Sequence, residues 1–357
     1  MSHPTRELCC LGIGQQTIEA LGKIGLHTLE DVQGYNALDL AAELKIDVEE
    51  AYRVMQEVET AADPSQETRT VLDMAIDPSQ GFVLTFSRAV DGMLGGGVKR
   101  GEVTEVCGLP GTGKTQLAMQ CALDCQIPTT MGGQGGEAVY IDSEGSFTYE
   151  RAAQMAEAVA LHLKKAAQAR SGGAATDAIV HALAVTQDRL LAGIHVFRVH
   201  NYREQLAVQQ ALSEFLREHP KVCLVVVDSI SFHFRHSLID NGLRTRLLSK
   251  MAQHWNKLAQ EHSIAVLMVN QMTTRVDRQS EGGSRLVPAL GESWAHVATS
   301  KMMLYWRGAQ RCAELLKSPR LQCQTVAFRV SKLGVRDIPA GRRKEIEAKG
   351  PSKRQRR

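Results

Sequence analysis

Gly101-Glu102-Val103-Thr104-Glu105-Val106-Cys107-Gly108-Leu109-Pro110-Gly111-Thr112-Gly113-Lys114-Thr115 divides into a strand-like run and a loop. Val103 to Cys107 alternates and is β-branched, which predicts a strand. Gly108, Leu109, Pro110, Gly111, Thr112, Gly113, Lys114 and Thr115 match G-x-x-x-x-G-K-[ST] with no departure. Gln116 to Leu123 follows, built from helix formers. Strand, glycine loop and helix together predict a phosphate site. Glycines let the backbone wrap phosphate oxygens with inward N–H groups, and a helix N-terminus adds partial positive charge. In that setting Lys114 is expected to reach the β- and γ-phosphates, and the Thr115 hydroxyl to ligate Mg²⁺.

The chain has 357 residues, enough for two or three units, and its 43% hydrophobic content supports a sizeable core. No apolar run approaches the roughly 20 residues of a membrane helix, and the first residues lack a signal-peptide apolar core. The eight cysteines are scattered without metal-binding spacing and read as free thiols in a reducing compartment. The net charge of +3 conceals an asymmetry: residues 1–62 carry four basic and eleven acidic side chains, a net of −7, whereas residues 341–357 carry eight basic and two acidic, a net of +6.

Four parts are expected. Residues 1–62 read as a small all-α domain, with Ile18, Leu21 and Ile24 near helical spacing and Thr28 to Asp31 resembling a capping box. Its acidity disfavours contact with nucleic-acid phosphates and favours docking of a protein. Residues 63–80 contain Asp-Pro-Ser-Gln twice and read as a linker. Residues 81–340 alternate strand and helix: strands at 101–107, 137–142, 194–199, 222–228 and 264–269; helices to about 126 and over 148–168, 176–192, 202–218 and 242–261; and short, antiparallel strands near 300–306, 312–317 and 324–330. The glycine-rich turn 132–136 reads as a flexible connection. This α/β order predicts a doubly wound, mostly parallel sheet with ligands at the carboxyl ends of its strands. Residues 341–357 are a basic tail. Its clusters, Arg342, Arg343 and Lys344, then Lys353, Arg354, Arg356 and Arg357, have the spacing of a two-part nuclear-import signal or of a nonspecific nucleic-acid arm.

Three polar residues are expected on the rim beside the phosphate loop. Asp228 ends the run Leu224 to Val227 and is placed to hold Mg²⁺ with Thr115. Glu144, two residues past its strand, is a candidate to orient and activate an attacking water, with Asp142 as its rival. Gln271 ends a strand and opens a long polar segment, as a sensor of the γ-phosphate would. Two stretches read as loops on that rim: 231–243, with Arg235, followed by Arg244 and Arg246 on the next helix, and 272–291, with Arg275, Arg278 and Arg285. Arginines so placed suit the backbone of single-stranded nucleic acid.

The stretches at 101–128 (GEVTEVCGLPGTGKTQLAMQCALDCQIP), 138–147 (AVYIDSEGSF), 223–230 (CLVVVDSI) and 266–274 (VLMVNQMTT) together resemble the RecA-type recombinase superfamily in its eukaryotic and archaeal branch. Those at 81–108, 228–236, 244–253, 270–278, 286–299 and Leu316 to Pro319 look most like the C-type paralogues of the eukaryotic strand-exchange recombinase. The resemblance covers nearly the whole chain. It implies a RecA-like P-loop ATPase core using ATP and Mg²⁺, with Glu144 activating water and Gln271 sensing the γ-phosphate. It also implies binding of single-stranded DNA or recombination intermediates, and work in homologous recombination and double-strand break repair. The partners it implies are other recombinase paralogues in a heteromeric complex. Two departures stand out. Gly111 occupies a place where the main recombinase carries arginine, and Phe86-Ser87-Arg88-Ala89 mimics the family's FxxA polymerisation motif at the start of the core, where it reads as a decoy.

The expected protein is thus a nuclear, DNA-dependent ATPase of the paralogue kind, with weak turnover and no membrane partner. Two rivals remain: a self-assembling strand-exchange recombinase, and an ATP-bound scaffold without catalysis. Filament formation on single-stranded DNA would mark the first; ATP binding without hydrolysis would mark the second.

Overall fold

The computed structural model describes residues 8, 15–28, 31–32, 35–62, 81–170, 177–236, 241–276, 284–291, 294 and 296–339. The chain divides into two compact units, Met1–Ile76 and Asp77–Arg357. The proposed linker 63–80 and the basic tail, with Arg342, Arg343, Lys353, Arg354, Arg356 and Arg357, lie outside the described residues.

The first unit contains helices Gln15–Lys23, Ala37–Leu44 and Val48–Ala62. Leu8, Leu21, Leu26, Val32, Leu40, Ala41, Ala51 and Val58 form its core. The capping box is present: Asp31 Oδ2 accepts from the Thr28 backbone N–H at 2.9 Å, and the Asp31 N–H donates to Thr28 Oγ1 at 3.2 Å. Asn36 caps the next helix from the N–H groups of Leu38 and Asp39, and Lys45, at φ 55°, ends it.

Among the described residues the second unit has the strands β1 (Phe82–Val83), β2 (Val98–Lys99), β3 (Val103–Gly108), β4 (Glu137–Asp142), β5 (Ile194–Arg198), β6 (Val222–Asp228), β7 (Ala265–Val276), β8 (Ser284–Pro288), β9 (Ser300–Arg307), β10 (Gln310–Lys317), β11 (Thr325–Ser331) and β12 (Gly334–Asp337). β1 and β2 form a small ribbon; the main sheet runs β12-β11-β10-β9-β3-β7-β6-β4-β5, with β8 paired to β7 off that path. The segment β9-β3-β7-β6-β4-β5 is parallel, and β9 to β12 are antiparallel. The continuous apolar run of β6 is buried along its whole length, as is β3, because helices cover both faces there. Leu117, Leu123, Tyr140, Met155 and Leu224 belong to the core on one face; Val139, Val225, Met251 and Trp255 belong to the other. Among the described residues no helix is long and apolar enough to cross a membrane. Cys107, Cys121, Cys125, Cys223 and Cys312 are buried free thiols, and no described group of His, Cys, Asp and Glu could hold a metal by itself.

Four expectations are corrected. The helix expected over 176–192 is two helices, Asp177–Ala184 and Gln187–Ala192, because Thr186 turns extended and caps the second from the Arg189 N–H. The stretch 231–243 is not a loop throughout: Phe232–His236 is helical and the next helix begins at Asn241. The stretch 272–291 is not a loop either. β7 continues to Val276 and returns as β8, with Arg275 opposite Arg285. The β-branched run Thr273, Thr274 and Val276 sustains the strand beyond the core. Finally, Gly132 to Gly136 is a packed turn. A Cβ on Gly133 would stand 2.1 Å from the Ile127 carbonyl oxygen, and one on Gly136 would stand 2.4 Å from Cys223 Sγ.

That packing separates two glycines. Gly133→Ala must push backbone aside and should lower stability by about 1–3 kcal/mol. Gly92→Ala meets nothing within 4 Å on helix Arg88–Met93 and should raise stability by about 0.5–1 kcal/mol. Unfolding midpoints of the two variants moving in the same direction would contradict this account.

Candidate nucleotide and nucleic-acid site

The phosphate loop leaves β3 at Gly108, whose missing side chain is a packing requirement: a Cβ there would lie 2.4 Å from the Leu304 carbonyl oxygen on β9. Gly113 stands at φ 106°, a conformation that favours glycine, and immediately precedes helix Lys114–Asp124. No side-chain oxygen caps this helix and its first turn holds no acidic residue. Its N-terminal donors and positive dipole end therefore face an external acceptor rather than the protein's own carboxylates. Lys114 Nζ donates to the Leu109 carbonyl at 3.0 Å, folded over the loop. Burial pushes its pKa down, and the carboxylates of Asp228 and Glu144 act against that shift.

Register brings the remaining candidates to one rim. Asp142 is level with Asp228, Asp228 with Val269, and Gly108 with Gln271. Asp228 is 1% exposed. It accepts from Tyr140 Oη at 2.7 Å, and the Thr115 hydroxyl lies near enough to act on its carboxylate. Burial pushes its carboxyl up to about 6; the Thr115 hydroxyl and the Tyr140 hydrogen bond oppose the shift, and the charges of Glu144 and Asp142 add to it. The Asp228–Ser229 peptide is cis.

Glu144 is exposed and presents its carboxylate toward the same place. Its Oε1 accepts from Gln271 Nε2 at 2.6 Å and from Ser229 Oγ. Asp142 has a different job from the one its sequence position allows. Its Oδ1 accepts from the backbone N–H groups of Glu144, Gly145 and Ser146 at 3.2, 2.9 and 3.2 Å, and its Oδ2 pairs with Arg198 at 2.9 Å. Asp142 thus organises the turn that presents Glu144. Gln271 does not end its strand: it lies inside β7, where its carbonyl accepts from the Ala289 N–H at 2.8 Å.

The donor set fits a magnesium nucleotide. An uncapped helix end and Lys114 suit phosphate, while Thr115 and Asp228, neighbours on the rim, offer a hydroxyl and a carboxylate to a hard cation. The arginines are less convergent. Arg275 and Arg285 are register partners in the β7–β8 pairing, Arg246 is exposed and Arg244 half-buried on helix Asn241–Glu261, and Arg235 belongs to helix Phe232–His236. Arg278 lies outside the described residues. Phe234 is core; Phe232 is half-buried. Tyr140, Ser143, Ser229 and Arg198 were not singled out in the sequence, because only strand register shows that they meet the rim.

The raised pKa of Asp228 has a sign that can be checked in metal-free protein. The folded state holds this proton more tightly than the unfolded chain, so the associated stability is complete below about pH 4 and is lost as pH rises through about 6. Asp228→Asn removes the ionisation and keeps an acceptor for Tyr140. Relative to wild type it should gain stability between pH 4.5 and pH 8, by as much as about 3 kcal/mol. Urea unfolding in EDTA at the two pH values measures this, and a variant-minus-wild-type difference that does not change with pH would refute it.

Comparison with known proteins agrees with this geometry. The Rad51 family model matches residues 82–176 and 172–338. The chain is 40% identical over 343 residues to DNA repair protein RAD51 homolog 3 of Cricetulus griseus, covering 93% of this chain and 92% of that one. It is 37% identical over 271 residues to the DNA repair protein RAD51 homolog 3 of Dictyostelium discoideum, covering 75% and 69%. It is also 30% identical over 330 residues to the DNA repair and recombination protein RadA of Metallosphaera sedula, covering 91% and 94%. With a RecA-like α/β core matched from its first strand to its last and paralogue-type relatives along nearly its full length, this chain belongs to the Rad51 family.

Proposed function

We propose that this protein is a DNA-dependent ATPase of the recombinase-paralogue kind, acting with Mg²⁺ in homologous recombination and double-strand break repair in the nucleus. The observation that carries the reading is the convergence of Lys114, Thr115, Asp228, Glu144 and Gln271 where β3, β4 and β6 end beside the middle of β7. DNA repair and recombination names of the relatives support the process.

When bound, the magnesium nucleotide supplies the phosphoanhydride bond to be cleaved. The chain's residues have separate tasks. Backbone N–H groups of 108–115 and Lys114 hold the phosphates, and Thr115 and Asp228 hold the cation. Glu144 takes the proton of an attacking water on Oε2, the oxygen that accepts no hydrogen bond from the described residues, while Oε1 stays fixed by Ser229. Gln271 leaves Glu144 for the terminal phosphate and so reports its presence to the β7–β8 hairpin. That hairpin, with Arg275, Arg278 and Arg285, and the segment with Arg235, Arg244 and Arg246 contact single-stranded DNA through its phosphates. Residues 1–62, with their net charge of −7, dock another recombinase paralogue in a heteromeric complex. Residues 63–80 link them to the core at 81–340, and the tail 341–357 directs nuclear import.

ATP hydrolysis by the purified chain, with and without single-stranded DNA, tests the reading. DNA should stimulate turnover. Glu144→Gln should lower it by about 100-fold or more while retaining ATP binding, and Lys114→Ala should abolish binding. ATP binding without turnover in the wild type would replace the enzyme by a nucleotide-bound scaffold, and normal ATP affinity in Lys114→Ala would overturn the site.

A further inference from the structure

We propose that Trp306 and Arg311 form a shelf for the base of the bound nucleotide, beside the phosphate loop. The inference rests on the nucleotide reading of that loop and adds a residue pair that sets base affinity. Its starting point is register. β9 runs parallel to β3, with Leu304 opposite Gly108, the last residue of β3. β9 continues to Arg307, so Trp306 stands beyond the end of β3, alongside the loop. Across β10, Arg311 is the partner of Trp306, and its guanidinium carbon lies 4.1 Å from the indole centroid.

The guanidinium touches the loop. Arg311 Nη2 donates to the Gly111 carbonyl at 3.5 Å, and a Cβ on Gly113 would lie 3.7 Å from Arg311 Nε and 3.8 Å from its Cδ. This long contact is its one hydrogen bond among the described residues; Arg311 Nε is buried with no partner, and no described carboxylate pairs with the side chain. Burial lowers its pKa accordingly. Gly111, at φ 78°, sends no side chain into the space, and a Cβ there would meet nothing within 4 Å.

The side chain is half-buried, with its Nε covered and no described counter-charge, so its polar donors are left for a ligand. Here its guanidinium carbon sits 4.1 Å over an aromatic ring, and guanidinium planes stack on nucleobases as well as on aromatic side chains. Trp306 is 39% exposed, so the shelf opens to solvent where a nucleotide would enter. A nucleotide whose phosphates occupy the loop has its base one ribose away, within reach of a group that itself touches Gly111. The shelf is a positioning and selectivity element; nothing in its geometry touches the bond to be cleaved.

Affinities of the full chain for Mg·ATP, Mg·CTP and Mg·tripolyphosphate, by calorimetry, test the inference on Arg311→Ala, Arg311→Lys and Trp306→Ala. Arg311→Ala should weaken ATP about tenfold and tripolyphosphate by less than about twofold, and should narrow the preference for ATP over CTP. Arg311→Lys should not restore ATP affinity, since it keeps the charge and loses the plane. Trp306→Ala should fall between wild type and Arg311→Ala, because the guanidinium loses its support. Unchanged ATP affinity in Arg311→Ala, at an unchanged melting temperature, would overturn the proposal and leave the pair a structural contact. Equal weakening of ATP and tripolyphosphate with rescue by lysine would also overturn it, making Arg311 a phosphate ligand. Failure of wild-type protein to bind ATP while Lys114→Ala behaves identically would instead remove the nucleotide reading on which the shelf depends.

Discussion

The in-register parallel packing of β4, β6, β7 and β3 is the constraint on which everything else rests. It sets Asp142 level with Asp228 and Gln271 level with Gly108. A slip of one residue in any of these pairings would turn its side chains to the opposite face. Register is therefore enforced by burial: every residue of β3 and β6 is buried, and the five from Ala138 to Asp142 on β4 are too. The site is a consequence of where β3, β4 and β6 end beside β7. That arrangement has an electrostatic cost. Asp228 is held above its ordinary range and Lys114 below its own, both chiefly by burial. Opposed shifts in neighbouring groups mark a rim poised for ligands of matching charge, a cation beside the carboxylates and an anion beside the lysine.

Much of this was legible in the chain because the signals are local. The glycine loop needs its glycines, and the buried strands read as apolar runs ending in a polar residue. What escaped depends on pairing between distant segments. Residues 272–276 and 284–288 look like a polar loop because their strand partners are each other, and no local period announces a hairpin that projects from the core. The turn 132–136 was misread for a related reason. Gly133 and Gly136 serve close approach to Ile127 and Cys223, which sequence separation hides. Asp142 and Glu144 share one strand end, and only the hydrogen bonds divide their labour: Asp142 is consumed by four backbone N–H groups, and Glu144 is not.

Phe86 to Ala89 shows the opposite case, a clear motif resemblance whose surroundings decide its use. Phe86 lies edge-on to His162 and under the guanidinium of Arg336. Asp337 Oδ1 accepts from Ser87 Oγ and the Ala89 N–H, closing the start of the helix that follows. The segment is engaged with its own core from both sides. This local engagement supports the decoy reading more firmly than chain position does, since exposing Phe86 would also break the cap.

The extension of β7 past Gln271 changes how a nucleotide signal would travel. A loop dissipates a displacement within a residue or two; a hydrogen-bonded strand carries it along its length. Asn270, beside Gln271, donates from Nδ2 to Glu105 Oε1 on the phosphate-loop strand and to the Ala289 carbonyl at the foot of the hairpin. Glu105 is itself held by Lys301 of β9 at 3.1 Å, in a buried pair. The hairpin base is thus tied to the strand that ends in the phosphate loop, and Arg275 stands four residues beyond Gln271 on one continuous strand. On the proposed function, exchange of the Gln271–Glu144 contact for a phosphate is a small movement at the root of a stiff lever. The arginines at its far end are moved as a unit, which requires the strand that the sequence alone did not reveal.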